Sequence, residues 1–179
     1  MSALLMSVTG FAQANATAVA LKIDIDEMAL VTRGITEVTF DLQAPQVAGG
    51  KVTVVAVTPS DYVQSTMIEQ GDGSGISVQG GSVAVSVSGL SAAFTLKCQT
   101  YLPANGVGAI GDSELLTPIE IGTSPVTAFS SVGSHYTGTG GTDGYQFVYS
   151  LEINDGDYGD INANLFNTSG PIISYILQN

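Results

Sequence analysis

Asp155-Gly156-Asp157, followed by Asp160, places three hard carboxylate donors within one six-residue stretch. Calcium takes six to eight oxygen ligands at about 2.4 Å, carbonyls among them. Asp155, Asp157 and Asp160 are therefore the candidate calcium ligands, and calcium is the only cofactor that the residues suggest. The order is not that of an EF-hand loop. Gly159 stands where a third side-chain ligand belongs, Asp160 where the sharp-turn glycine belongs, and no bidentate glutamate closes the loop downstream. The same Asn154-Asp155-Gly156 composition suits a strand-to-strand turn, because Asx side chains bond their own backbone and tolerate left-handed geometry. Turn chemistry and a calcium loop are the two competing readings of this stretch.

Other groups that could do chemistry fail to converge. Asp24 and Asp26 share one face of a strand, yet carboxylates at i and i+2 also line any solvated strand face. His135 is the only histidine. A hydrolytic triad would join it to Ser134 or Ser131 and to Asp143, but no G-x-S-x-G elbow is present, and adjacent loop residues cannot orient one another. A histidine-based metal site lacks a second His or Cys partner at ligand spacing. Cys98, the only cysteine, is in phase with Phe94 and Leu96 and reads as a small buried hydrophobe. Acid, base and nucleophile never meet in one motif, so the expected protein is not an enzyme. Tyr62, Tyr101, Tyr136, Tyr145 and Tyr158 could supply stacking platforms for a sugar, without the tryptophan usual in that role.

The elements that must carry these residues are strands. Apolar residues alternate with polar ones over "TAVALKIDI", "ITEVTFDLQ", "KVTVVAV", "YVQSTMI", "SVAVSVS", "AAFTLKCQTYL", "LLTPIEI", "VTAFSSV", "YQFVYSLEI", "INANLF" and "PIISYILQ". No window sustains a helical apolar face. Thr58-Pro59-Ser60-Asp61 predicts a turn, Gly71–Gly75 a hairpin loop and Gly80-Gly81 a two-residue turn. "PANGVGAIGDSE" and Ser130–Gly144 read as irregular loops. The pattern predicts an all-β chain, a single antiparallel β-sandwich or jelly roll of about nine to eleven strands.

Composition narrows the partners. Four basic against sixteen acidic residues give a formal charge of −12. Lys22, Arg33, Lys51 and Lys97 are scattered, so no nucleic acid or anionic membrane surface is expected as a partner. No apolar run reaches the roughly 18 residues of a membrane-spanning helix. Residues 1–14 form a small and apolar run ending Ala12-Gln13-Ala14, the pattern of a secretory signal cut after Ala14, although no Lys or Arg precedes Lys22. That divides the chain into a leader, 1–14, and one sandwich domain, 15–179.

The domain would start on one apolar strand, "ATAVALKIDI", and end on another, "PIISYILQN". In leader, Gly/Thr-rich strands, acidic balance and terminal β-strand, the chain resembles secreted fimbrial and fibre-type surface subunits. The resemblance is one of whole-chain pattern, without a shared motif, and the disulfide of many such subunits cannot form here. It implies an exported, non-catalytic structural or adhesion module at a cell surface, self-associating or binding other surface proteins by β-strand pairing. The alternative expectation is a glycan-binding module assisted by calcium at Asp155, Asp157 and Asp160.

Overall fold

Side chains along Ser60–Ile68 alternate between buried and half-buried, with Asp61, Val63, Ser65 and Met67 turned inward. A strand whose successive Cβ atoms point to opposite faces must do this once one face is covered. The same rule builds most of the molecule. The computed structural model describes residues 28–34, 37–69, 80–161 and 170–178.

Eleven strands are described: β1 (Met28–Arg33), β2 (Thr39–Gln43), β3 (Thr53–Thr58), β4 (Ser60–Ile68), β5 (Gly81–Ser88), β6 (Phe94–Tyr101), β7 (Val107–Ser113), β8 (Ile119–Glu120), β9 (Val126–Tyr136), β10 (Tyr145–Ile153) and β11 (Ile172–Gln178). A short 3-10 helix, Asp155–Asp160, follows β10. Nine strands form one antiparallel sheet in the order β11-β5-β9-β4-β10-β6-β8, with β1 on β4 and β7 on β9. Strands β2 and β3 make a separate ribbon.

The long sheet folds over on itself. Strand β9 pairs with β5 along its first part, from Val126 to Val132, and with β4 only through Thr66–Tyr136 and Met67–His135. It therefore leads from one layer into the other. Strands β11 and β10 are far apart in the sheet order, yet Tyr175 and Phe147 meet edge to face at 4.7 Å between ring centroids. Phe129 of β9 packs on Tyr145 at 4.3 Å and on Phe147 at 5.6 Å, both from β10. On another side Ile121 donates its amide to Leu96 of β6, and the next residue, Gly122, accepts from Val87 of β5. The result is an all-β, sandwich-like fold, as the alternation predicts. Its core is valine-rich around a few aromatic rings: Val63, Val83, Val85, Val132, Phe129 and Phe147 are all sealed from solvent. Branched side chains fit the pleated inner faces, and rings fill the gap between layers.

Several expectations need correction. "PANGVGAIGDSE" is not simply a loop, because Val107–Ser113 within it forms β7 on the edge of β9. Gly108 and Gly111 adopt positive φ there, and a Cβ at Gly108 would lie 2.4 Å from the Ser134 carbonyl. Glycine serves close strand approach in this case rather than a turn. Ser130–Gly144 is also not one loop, since β9 runs on to Tyr136, paired by β7 on one edge and by β4 on the other. Gly81 is the first residue of β5, where a Cβ would meet the Val132 and Gln178 carbonyls at 2.7 and 2.8 Å. At the Thr58–Asp61 turn only Pro59 separates β3 from β4, and Asp61 is fully buried. Strand β1 was not legible as an alternating run at all. The leader 1–14, the Asn15–Ile25 strand with Asp24 and Asp26, the Gly71–Gly75 hairpin and most of "INANLF" lie outside the described residues.

Candidate functional site

The acidic stretch is a 3-10 helix in place of an Asx turn. Asn154 precedes it without capping it. Its side chain instead donates to the Ala92 carbonyl at 2.7 Å and accepts from Thr95 Oγ1 at 2.9 Å, fixing the end of β10 to the β5–β6 connection. Asp155 pairs with Lys51 at 2.5 Å, both well exposed, and Tyr158 accepts from the Val52 amide at 2.9 Å. The stretch thus fastens the start of β3 to the main sandwich. Asp155, Asp157 and Asp160 are all exposed. Among the described residues no three His, Cys, Asp or Glu side chains are grouped to hold a metal ion.

His135 lies with neither Ser131 nor Asp143. Its Nδ1–H donates to the Gly133 carbonyl at 2.7 Å, which leaves Nε2 to accept from the Ser65 hydroxyl at 2.6 Å. The Tyr145 hydroxyl, 3.4 Å from Nε2, donates to the Ile110 carbonyl at 3.0 Å. Asp143 is occupied elsewhere, accepting from Asn105 and from the Gly140 amide, both at 2.7 Å. The Ser65–His135 pair has the tautomer of a nucleophile and base, but both side chains are buried at the β4–β9 joint. It ties that joint together. Ser65 is 70 residues from His135, and only its place in the "YVQSTMI" alternation marked it as inward-facing.

Burial lowers the proton affinity of His135, opposed by the Gly133 hydrogen bond and the Glu69 charge. A histidine with a depressed folded-state pKa contributes stability that is complete above its unfolded value, about 6.5, and is lost as pH falls through the folded value. With no second histidine in the chain, the assignment is direct. The melting temperature should fall from pH 7.5 to 5.5, and His135→Gln should flatten that slope. An unchanged slope in the variant would refute the assignment.

A second polar cluster, centred on the buried Asp61, joins four strands. The Asp61 carboxylate, fully buried on β4, accepts from Arg33 Nε of β1 at 2.9 Å and from the Tyr175 hydroxyl of β11 at 2.8 Å. Asp61 Oδ1 also accepts from the Tyr62 amide at 2.8 Å. Tyr175 in turn accepts from Tyr149 of β10 at 2.7 Å, since its own proton is directed to Asp61. The Arg33 guanidinium lies 5.5 Å from the Tyr175 ring centroid, within cation–π range. Burial pushes the pKa of both phenols far up, so they remain donors. Burial likewise pushes the Cys98 thiol up to about 12, which leaves it inert.

This cluster holds β11 in place. Ile173, Tyr175 and Leu177 turn toward the core, while Ile172, Ser174, Ile176 and Gln178 face out. Strand β11 pairs with β5 over seven consecutive residues, Ile172–Ser88 to Gln178–Ser82. Its other edge meets no strand among the described residues. Of the five tyrosines considered for sugar stacking, Tyr145 is buried, Tyr62 and Tyr158 are half-buried, and Tyr101 and Tyr136 are exposed. No helix among the described residues is long and apolar enough to cross a membrane. Neither a family model, nor a curated protein, nor a solved structure matches this chain.

Proposed function

We propose that this chain is an exported, non-catalytic structural or adhesion module that assembles at a cell surface or outside the cell by β-strand pairing. The observation that carries the reading is the place of β11, a seven-residue strand that among the described residues stands at the margin of the large sheet, with Ile172 and Ile176 exposed on its outward face. An edge strand offers a row of backbone donors and acceptors to another chain. Proteins that remain monomeric blunt such edges with lysine, proline, bulges or short strands. Strand β11, "IISYILQ", has none of these. The exported location rests on the leader pattern of residues 1–14. In both reactive-looking clusters the groups are hydrogen-bonded within the cluster, with Ser65, His135 and Asp61 buried and Tyr175 half-buried, which supports a structural role.

Sedimentation velocity over a concentration series tests the reading. The chain is expected to show mass-action association, and Ile176→Lys, which places a charge beside the edge of β11 that no described strand pairs, is expected to sediment as a monomer with its melting temperature retained. A wild-type monomer up to the solubility limit would overturn it.

A further inference from the structure

The turn that joins β6 to β7 carries the only asparagine of the chain that is followed by glycine, Asn105-Gly106. The turn is closed by one long bond, from the Gly106 amide to the Pro103 carbonyl at 3.4 Å. Asn105 is exposed. Packing keeps residue 106 small, because a Cβ there would lie 2.8 Å from Ile110 Cγ2 and 3.1 Å from Pro103 Cβ.

The Asn105 side chain donates to Asp143 Oδ1 at 2.7 Å. Asp143 in turn organises the connection between β9 and β10. Its Oδ2 accepts from the Gly140 amide at 2.7 Å, and its own amide donates to the Gly140 carbonyl at 2.9 Å. The carboxylate lies so close to Gly138 and Gly140 that a Cβ would come within 2.6 and 2.8 Å of Oδ2. The Gly140 carbonyl also accepts from the Gln64 side chain of β4. The Asn105 amide, ahead of the Gly140 amide, holds the Asp143 carboxyl below the usual carboxylate range, so it is ionised at neutral pH. One side-chain amide thus ties the β6–β7 turn to a glycine-rich connection, and through it to β4.

That amide is chemically labile. With no Cβ on the next residue, the backbone nitrogen of Gly106 can swing onto the Asn105 side-chain carbonyl carbon. Asn154 makes the contrast: Asp155 follows it, and both ends of its amide are held, by the Ala92 carbonyl and by Thr95 Oγ1.

We propose that Asn105 is a site of spontaneous deamidation, and that its conversion releases the β6–β7 turn from the β9–β10 connection. The Gly106 nitrogen attacks Asn105 Cγ, and the new C–N bond closes a succinimide ring. The Cγ–Nδ2 bond breaks, and that nitrogen leaves as ammonia with the proton given up by the Gly106 amide. Water then opens the ring to aspartate or isoaspartate, each carrying a new carboxylate. No oxidant or reductant takes part. The product has no donor for Asp143 and sets a second negative charge beside the first, in a chain already at −12. Salt weakens that repulsion without restoring the lost bond. The inference stands independently of the reading of the chain as a strand-pairing module.

The test incubates the folded full chain at mildly alkaline pH and follows it by peptide mass spectrometry and enzymatic labelling of isoaspartate. Amide exchange is measured on the starting and the converted material. The expected result is conversion at Asn105 ahead of Asn154, with severalfold faster exchange at Gly140 and Asp143 and none of that change in the β6–β10 ladder. Asn105→Asp should show the faster exchange without incubation. If the Asn105 amide survives in the folded chain while it converts in the urea-unfolded chain, the fold protects it and the proposal is overturned. Conversion that leaves exchange at Gly140 and Asp143 unchanged would overturn the release.

Discussion

Asp61→Ala should lower the unfolding free energy by about 3 kcal/mol, read from urea or guanidinium melts at pH 7. The loss comes from several places. Tyr175 loses its acceptor inside the sandwich and the Tyr62 amide loses its own. Arg33 loses its carboxylate partner at 2.9 Å, but its side chain is 37% exposed and water compensates part of that loss. The figure therefore lies at the low end for breaking a buried pair. The effect should also be local. Amide exchange in β11 should accelerate more than in the β6–β10 ladder, because the cluster is the polar bolt between β11 and the opposite layer. Tyr175→Phe removes one hydroxyl without a cavity and should cost about 1–2 kcal/mol, less than additively with Asp61→Ala. A change below about 0.5 kcal/mol for Asp61→Ala would show the cluster to be incidental to stability.

Phe129→Ala should cost about 3–5 kcal/mol, a large share of the roughly 5–15 kcal/mol that stabilises a domain. Phe129 is fully buried on β9, the strand that carries the sheet from one layer to the other. Its ring contacts Tyr145 and Phe147 at 4.3 and 5.6 Å, and removing it leaves a void between layers where neither backbone can easily collapse. Phe129→Leu, which keeps most of the volume, should recover more than half of the loss. Thermal melts of the two variants provide the check. Equal melting temperatures for Phe129→Ala and wild type would mean that the two layers do not depend on this contact.

How far the sequence could be read differs from strand to strand. "YQFVYSLEI" alternates cleanly and is β10 to the residue. Strand β7 escaped notice because glycine is normally a mark of loops, and nothing local shows that a neighbouring backbone comes within reach. The end of β9, with Ser131 at a positive φ of 54°, looked irregular for the same reason, and pairing on both edges overrides its composition. The acidic stretch was legible as a connection between strands and not as a 3-10 helix, because Lys51 and Val52, about a hundred residues upstream, help to set its shape.

The polar clusters were hidden from the sequence altogether. Asp61 looked like a turn residue and Tyr175 like one aromatic in an apolar strand, and 114 positions separate them. By itself the sequence determined the all-β class, the absence of a disulfide, the strong negative charge and an apolar strand near the C-terminus, because alternation, residue type and charge depend only on nearby positions. Only the tertiary structure decided that β11 stands at the margin of the described strands, that Asp61 is held between Arg33 and Tyr175, and that His135 bonds Ser65. Those facts depend on which strands lie opposite one another across two layers, and long-range pairing leaves no local trace in the residues that make it.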